Sequence, residues 1–229
     1  MTELLTAAQM RAIEAAAIAN GEVTGLELME RARRGLVEAI FDEWPELSRR
    51  SLIPFLRKRR KAVVFCGPGN NGGDGFVVAR FLKELRWEVE IYFFGDPDRL
   101  PPDAKVNYTR WKALGDVHPF TESKSRDTRL SDPHPDLWID AVFGIGQDRA
   151  LPDLVTMMFR RVYYEQNWCA SPVVALDVPT GISSDTGASL QTFYLTSDLT
   201  VTFHAAKIGH FKEDGPLRCG KVVVKEIGL

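Results

Sequence analysis

Four short stretches of this chain gather the residue types that could do chemistry. Gly67-Pro68-Gly69-Asn70-Asn71-Gly72-Gly73-Asp74-Gly75 places two amides and a carboxylate among five glycines. Glycine lets the backbone take positive φ and lets a ligand approach without a Cβ in the way, and free N–H groups at a helix N-terminus attract phosphate. Asp140 stands between apolar residues, where a carboxylate is costly without a partner, so it points to an ion, a ligand or a structural hydrogen bond. It is followed by Gly144-Ile145-Gly146-Gln147-Asp148-Arg149. Asp177-Val178-Pro179-Thr180-Gly181 has the turn formers of a strand exit together with a carboxylate and a hydroxyl. Lys207, in His204-Ala205-Ala206-Lys207-Ile208-Gly209, reads as a phosphate contact or a surface cation, and Arg149 reads the same way. His204 and His210 have no metal-ligand spacing and read as packing or surface residues.

These stretches need elements to hold them. Ala62-Val63-Val64-Phe65 is an apolar strand before the glycine-rich turn, and Val77, Val78, Phe81, Leu82 and Leu85 recur at helical spacing after it. Further strands are expected at 89–94, near Val117, at 137–143, 173–176 and 199–203, and at 221–224. Helices are expected at 101–114 and 154–164 between them. The alternation predicts a Rossmann-like α/β three-layer sandwich with a mostly parallel sheet. Two helices come first. One follows the capping box Thr6-Ala7-Ala8-Gln9 and carries Met10, Ile13, Ala16 and Ala17 up to Gly21; the other starts near Thr24. They form an N-terminal helical extension. Pro54 opens a short irregular piece, and 121–135 is a polar surface loop. Residues 1–229 read as a single domain. In an open α/β sheet, ligands collect beyond the carboxyl ends of the strands, and all four polar stretches follow a strand. One shared pocket is therefore expected.

Several classes are excluded or disfavoured. Gly67 to Gly72 fits Gly-x-Gly-x-x-Gly literally, yet no acid ends the second strand, which speaks against an ordinary NAD dehydrogenase. The phosphate-loop sequence with Gly-Lys-Ser/Thr is absent. The composition is ordinary, 45% hydrophobic and 26% charged with formal net charge −2, so no basic field draws in nucleic acid. Arg57-Lys58-Arg59-Arg60-Lys61 is read as a solvated surface turn. Three cysteines (Cys66, Cys169, Cys219) form no metal or disulfide framework and suit a reducing compartment. No stretch approaches the roughly 20 apolar residues of a membrane span. A cytoplasmic location is expected, with neither nucleic-acid nor membrane partners.

Taken together the motifs resemble the NAD(P)H-hydrate epimerase family, also called the YjeF N-terminal domain family. Its signature is similar nearly letter for letter to Gly67–Gly75. The resemblance extends to Asp140-Ala141-Val142-Phe143-Gly144-Ile145-Gly146, to Asp177-Val178-Pro179-Thr180-Gly181 with Asp185-Thr186-Gly187, to Thr200–Phe203 with Lys207 and Gly209, and to both N-terminal helices. Departures are Arg33 where the family usually has glycine, Asp148 in the presumed phosphate loop, and the His204–Ala206 segment. The resemblance implies an enzyme that interconverts the R and S forms of hydrated NADH or NADPH at C6 of the nicotinamide ring, with a potassium ion at the pocket. It implies that Asn70, Asn71, Gly72, Gly73 and Asp74 line the substrate site. Gly144, Ile145, Gly146, Gln147, Asp148 and Arg149 would contact phosphates or ring, Lys207 would add to them, and Asp177 would touch the reacting nicotinamide as acid/base. Asn71, Asp140 and Thr180 would hold the ion. It also implies a homodimer through the N-terminal helices and a dehydratase, fused or separate, that accepts only one epimer. A non-catalytic scaffold on the same fold, or another nucleotide-binding enzyme, stands as the alternative.

Overall fold

The computed structural model describes residues 4–48, 59–121, 130–166, 170–191 and 195–229. Pro54, Cys169, most of the 121–135 loop and the first residues of the basic run at 57–61 lie outside them. The chain order is β1 (Leu4–Leu5), α1 (Ala7–Ala19), α2 (Gly25–Glu43), α3 (Pro45–Ser48), β2 (Lys61–Cys66), α4 (Asn70–Glu84), β3 (Glu88–Phe93), α5 (Pro102–Lys112) and β4 (Val117–Pro119). Then come β5 (Leu137–Ala141), α6 (Asp153–Gln166), β6 (Val173–Leu176), β7 (Leu199–Phe203), β8 (Ala206–Lys207), α7 (Gly215–Arg218) and β9 (Lys221–Lys225).

Seven strands form one sheet in the order β4-β3-β2-β5-β6-β7-β9, and every neighbouring pair is parallel. The order reverses direction at β2 and β5, which places a topological switch between them. β2, β5, β6 and β7 are buried along their whole length, which is why β2, β5 and β6 are mostly apolar; β7 alternates, and its buried Thr200 and Thr202 hydroxyls donate to the Cys219 carbonyl and to Asp177. Helices cover both faces. Leu36 and Ile40 of α2 and Phe76, Val78 and Leu82 of α4 share one core with Val64, Ile139 and Val174. On the other face, Val155, Met158, Phe159 and Val162 of α6 pack on Val63, Phe65, Trp138 and Val173.

The N-terminal helices divide their work. α2 is part of the helix layer, and Arg33 fits there by lying 4.8 Å over the Phe81 ring and pairing with Glu30 at 2.8 Å. α1 instead leans over the carboxyl edge of the sheet. It is started by the expected capping box of Thr6 and Gln9. It is tied down by an element that the sequence did not announce, the parallel pairing of β1 with β8. Asp185 adds a 2.6 Å hydrogen bond from the Ala7 N–H.

The glycine-rich segment differs from the expected turn. α4 begins at Asn70 with Gly69 as N-cap, so Asn70 to Asp74 form its first turn. None of the five glycines takes positive φ; Gly67, Gly72, Gly73 and Gly75 serve close approach, whereas Gly69, the N-cap, faces open space. A Cβ on Gly72 would come within 1.9 Å of the Gly67 carbonyl oxygen, and one on Gly75 within 2.8 Å of Ala141 and Cys66. Helix and strand are thus pressed together directly behind the polar first turn.

Candidate functional site

A cleft of about 420 Å³ opens over the carboxyl ends of β2, β5, β6 and β7. All four polar stretches reach it: Asn70, Asn71 and Asp74 from the start of α4, Gly144 to Gln147 after β5, Asp177 after β6, and Lys207 on β8. The position matches the general rule for open α/β sheets, and the size is that of a small-molecule site.

Asp177 is the best-defined group. Its backbone turns to φ 64 as it leaves β6, a conformation that Asp tolerates better than most residues. Its Oδ1 accepts a 2.7 Å contact from Lys207 Nζ and a 2.8 Å hydrogen bond from the Thr202 hydroxyl. Lys207 also donates to Thr202 Oγ1 at 2.6 Å and to the Phe203 carbonyl at 3.2 Å, so all three of its protons are placed. Oδ2 of Asp177 lies beside Gly144, 3.4 Å from where a Cβ would sit, and has no hydrogen-bond partner among the described residues. One carboxylate oxygen is clamped and the other is open to the cleft. Burial pushes the carboxyl up, but the Lys207 ammonium and the hydrogen bonds from Lys207 and Thr202 outweigh it and hold Asp177 below the usual carboxylate range.

Lys207 is 1% exposed, so the surface-cation reading is corrected: the ammonium is folded inward because its charge is satisfied by Asp177. His210, read as a packing or surface residue, is buried and polar in its role. The Lys207 N–H donates to Nδ1 at 3.1 Å, which fixes the proton on Nε2, and Nε2 donates to the Asp177 carbonyl at 2.8 Å. Burial lowers its pKa, which suits this neutral form.

Asp140 and Thr180 do not line the cleft; they sit just behind it. Asp140 Oδ2 accepts from the Thr180 N–H at 2.8 Å, and Oδ1 accepts from the Thr180 hydroxyl at 2.7 Å and the Val142 N–H at 3.2 Å. Thr180 Oγ1 accepts in turn from the Phe143 N–H at 2.9 Å. Burial raises Asp140 to about 6 despite these donors, and among the described residues no charged neighbour offsets it. Asn71, which does line the cleft, has its Oδ1 against Gly144 and its Nδ2 buried without a hydrogen-bond partner among the described residues. The oxygens of Asp140, Thr180 and Asn71 are of the kind that a hard cation takes.

The remaining expected residues divide. Gly72 and Gly73 are buried packing positions. Gln147 bridges loops, accepting from the Gly181 N–H at 2.8 Å. Asp148 and Arg149 are exposed and face an adjoining cavity of about 400 Å³, which shares Pro68, Phe143, Gly146 and Gln147 with the cleft and adds the Phe94 ring.

Residues that the sequence reading missed come from α1. Met10, Arg11 and Glu14 line the cleft, and Arg11 donates to the Ile145 carbonyl at 3.3 Å. A signal existed. Met10, Glu14 and Ala17 share one helix face at i, i+4 and i+7, and Met10 and Ala17 are buried, so an acid sat in the apolar stripe. Burial and then Asp177 push Glu14 up, partly opposed by Lys207 and Arg11. Asp74 is pushed well above its ordinary value by burial, then by Glu14 and Asp177, and its Oδ1 is buried without a partner.

The family profile described as YjeF-related protein N-terminus matches residues 25–209. A protein of Rhodobacter capsulatus named NAD(P)H-hydrate epimerase is 41% identical over 232 residues, covering all of both chains. One of the same name from Roseobacter litoralis is 39% identical, again over all of both chains. A Methanothermobacter thermautotrophicus protein named bifunctional NAD(P)H-hydrate repair enzyme is 34% identical across 94% of this chain and 39% of its own length. The crystal structure of yeast ynu0 superimposes with a TM-score of 0.77 at 20% identity, covering 98% of this chain and 88% of that one, a likeness of fold.

Proposed function

This chain belongs to the YjeF-related N-terminal family, and from that premise we infer that it is an NAD(P)H-hydrate epimerase. It is an isomerase that interconverts the R and S forms of hydrated NADH or NADPH at C6 of the nicotinamide ring. The observation that carries the reading is the carboxylate of Asp177, clamped through Oδ1 and open through Oδ2 in a cleft that four strand-end segments share. The adjoining cavity gives a dinucleotide room to extend past Pro68 and Phe143.

C6 of the hydrate carries a hydroxyl beside the ring nitrogen and is a hemiaminal. When the C6–O bond breaks, the oxygen takes a proton and leaves as water, and the N1 lone pair closes an iminium. Water then adds to the other face and the centre is inverted. The intermediate is a cation, so a fixed carboxylate stabilises the approach to it. Asp177 is suited to that task because Lys207 keeps it ionised, and its open oxygen can take or return a proton. Thr202 fixes the carboxylate from behind, and His210 holds the backbone carbonyl of the same residue.

Potassium belongs to the same proposal. Asp140, Thr180 and Asn71 are the residues that would hold it, and the ion would supply positive charge next to a buried carboxylate that now has none. This chain's own contribution there is to knit the β5 and β6 loops through Asp140. Exchanging potassium for a bulky organic cation is expected to lower both activity and melting temperature; no change in either removes the ion from the proposal. The dehydratase that consumes one epimer is the partner activity, and a cytoplasmic setting is in keeping with the buried free thiols Cys66 and Cys219. The direct test is to add the purified protein to heat-generated NADH hydrate and follow the R to S ratio by chromatography. A catalyst restores the equilibrium ratio after one epimer is removed, whereas a scaffold leaves the ratio unchanged.

A further inference from the structure

Inversion at C6 makes two demands on protons. One must reach the departing hydroxyl on the first ring face, and another must leave the water arriving at the second. Asp177 is fixed in the sheet-side wall of the cleft and serves one of these faces. The other wall is contributed by α1, whose position is set by the β1–β8 pairing, the Asp185 cap and the Arg11 contact to Ile145.

We propose that Glu14 is a second catalytic carboxyl, which handles the proton on the ring face opposite the one served by Asp177. The inference rests on the epimerase reading above. Glu14 lines the same cleft as Asp177 but comes from a different element. It stands on the buried face of α1 in line with Met10 and Ala17, positions where a carboxylate is costly unless it has a use. Among the described residues no hydrogen bond or ion pair occupies it. Arg11, on the same helix, is spent on the Ala7 and Ile145 carbonyls.

The charged groups around Glu14 are Arg11 on α1, Asp74 on α4, Asp177 after β6 and Lys207 on β8. Lys207 is paired with Asp177, so Glu14 feels the repulsion of that carboxylate, which Lys207 and Arg11 only partly offset. Burial and Asp177 push Glu14 up, while Lys207 holds Asp177 down. Two carboxyls driven apart within one cleft are the arrangement that yields an acid and a base together. In one direction Glu14 gives its proton to the C6 hydroxyl, the C6–O bond breaks, and water leaves the iminium. A second water then bonds to C6 from the opposite face as Asp177 takes its proton. The reverse reaction runs from Asp177 to Glu14. The singly protonated pair is therefore the active form both ways, and its apparent pKa values belong to the pair.

The test measures wild-type protein, Glu14→Gln and Glu14→Asp with separated NADH hydrate epimers from about pH 6 to pH 9, with melting curves to confirm folding. Glu14→Gln is expected to lose about 10²-fold or more in kcat, to keep KM within about threefold, and to lose the alkaline limb of its kcat profile. Glu14→Asp keeps a carboxyl and is expected to retain that limb at a smaller loss. A Glu14→Gln protein with kcat within about threefold of wild type overturns the inference. So does a loss of kcat with the limb unchanged, and so does Glu14→Asp behaving like Gln. Wild-type protein that leaves the epimers untouched overturns the epimerase reading itself, a result separable from the others because it needs no variant.

Discussion

Asp140 and Asp177 stand at the carboxyl ends of two adjacent strands, β5 and β6, yet their surroundings have opposite effects. Asp140 is 1% exposed and spends both oxygens on backbone and hydroxyl donors of the next loop. With no cation near, burial lifts it to about 6. Asp177 meets a buried ammonium at 2.7 Å, is held low, and keeps one oxygen facing the cleft. The difference teaches that position at a sheet edge selects residues for a site, but the partner decides the task. A carboxylate tied to N–H groups joins loops. A carboxylate tied to lysine on one side is left charged and reactive on the other.

Substitutions should separate the two. The largest effect is expected from Asp177→Asn, which keeps the shape and the Thr202 hydrogen bond but removes the charge. Epimer interconversion should fall by about 10²- to 10⁴-fold, read from the rate of approach to the equilibrium ratio; a wild-type rate would end the acid/base assignment. Asp140→Ala should reverse the balance and act mainly on folding. It strands the Thr180 and Val142 N–H groups inside the protein, at a cost of about 3 kcal/mol, measurable by urea denaturation. If Asp140→Ala left stability intact while abolishing activity, the contrast drawn here would be wrong.

Lys207→Met tests the partner directly. In wild type the folded Asp177 pKa lies below its unfolded value. The stability that the pair contributes is thus present above the ordinary carboxylate pKa and is lost as pH falls through the lowered folded value. Without the ammonium, burial dominates and Asp177 rises. The stability gap between wild type and variant, about 3 kcal/mol at neutral pH, should close on acidification below the carboxylate range. The acid limb of activity should move to higher pH. A gap that is constant with pH would assign Lys207 a packing role only.

Much of this was legible in the sequence for a physical reason. Buried parallel strands write themselves as apolar runs, and glycine with polar residues after each run marks a loop end, so the sheet and the convergence of four loops followed. The cleft wall formed by α1 did not. β1 has two residues and no pattern of its own, and its pairing with β8 is a contact between chain ends that local spacing does not encode. The inward turn of Lys207 was hidden for the same reason: a lysine after a strand has the composition of a surface residue until Asp177 is placed beside it. The positive φ expected of the glycine-rich segment was replaced by close packing, because Gly72 and Gly75 meet backbone and strand atoms that lie elsewhere in the chain.

The smallest effect, and the finest discrimination, is expected from His210→Ala. His210 touches neither carboxylate oxygen; it links the Lys207 N–H to the Asp177 carbonyl. Its removal leaves a buried N–H without an acceptor, at a cost of about 1–2 kcal/mol, while the ion pair itself remains. Catalysis should drop by no more than about tenfold, through looser placement of Asp177, with KM little changed. Because the imidazole is neutral and its pKa is lowered by burial, the variant should keep the wild-type pH profile. A profile that changed with His210 would mean that the imidazole titrates with the reaction, and the division between a charged Asp177–Lys207 pair and a neutral frame behind it would have to be redrawn.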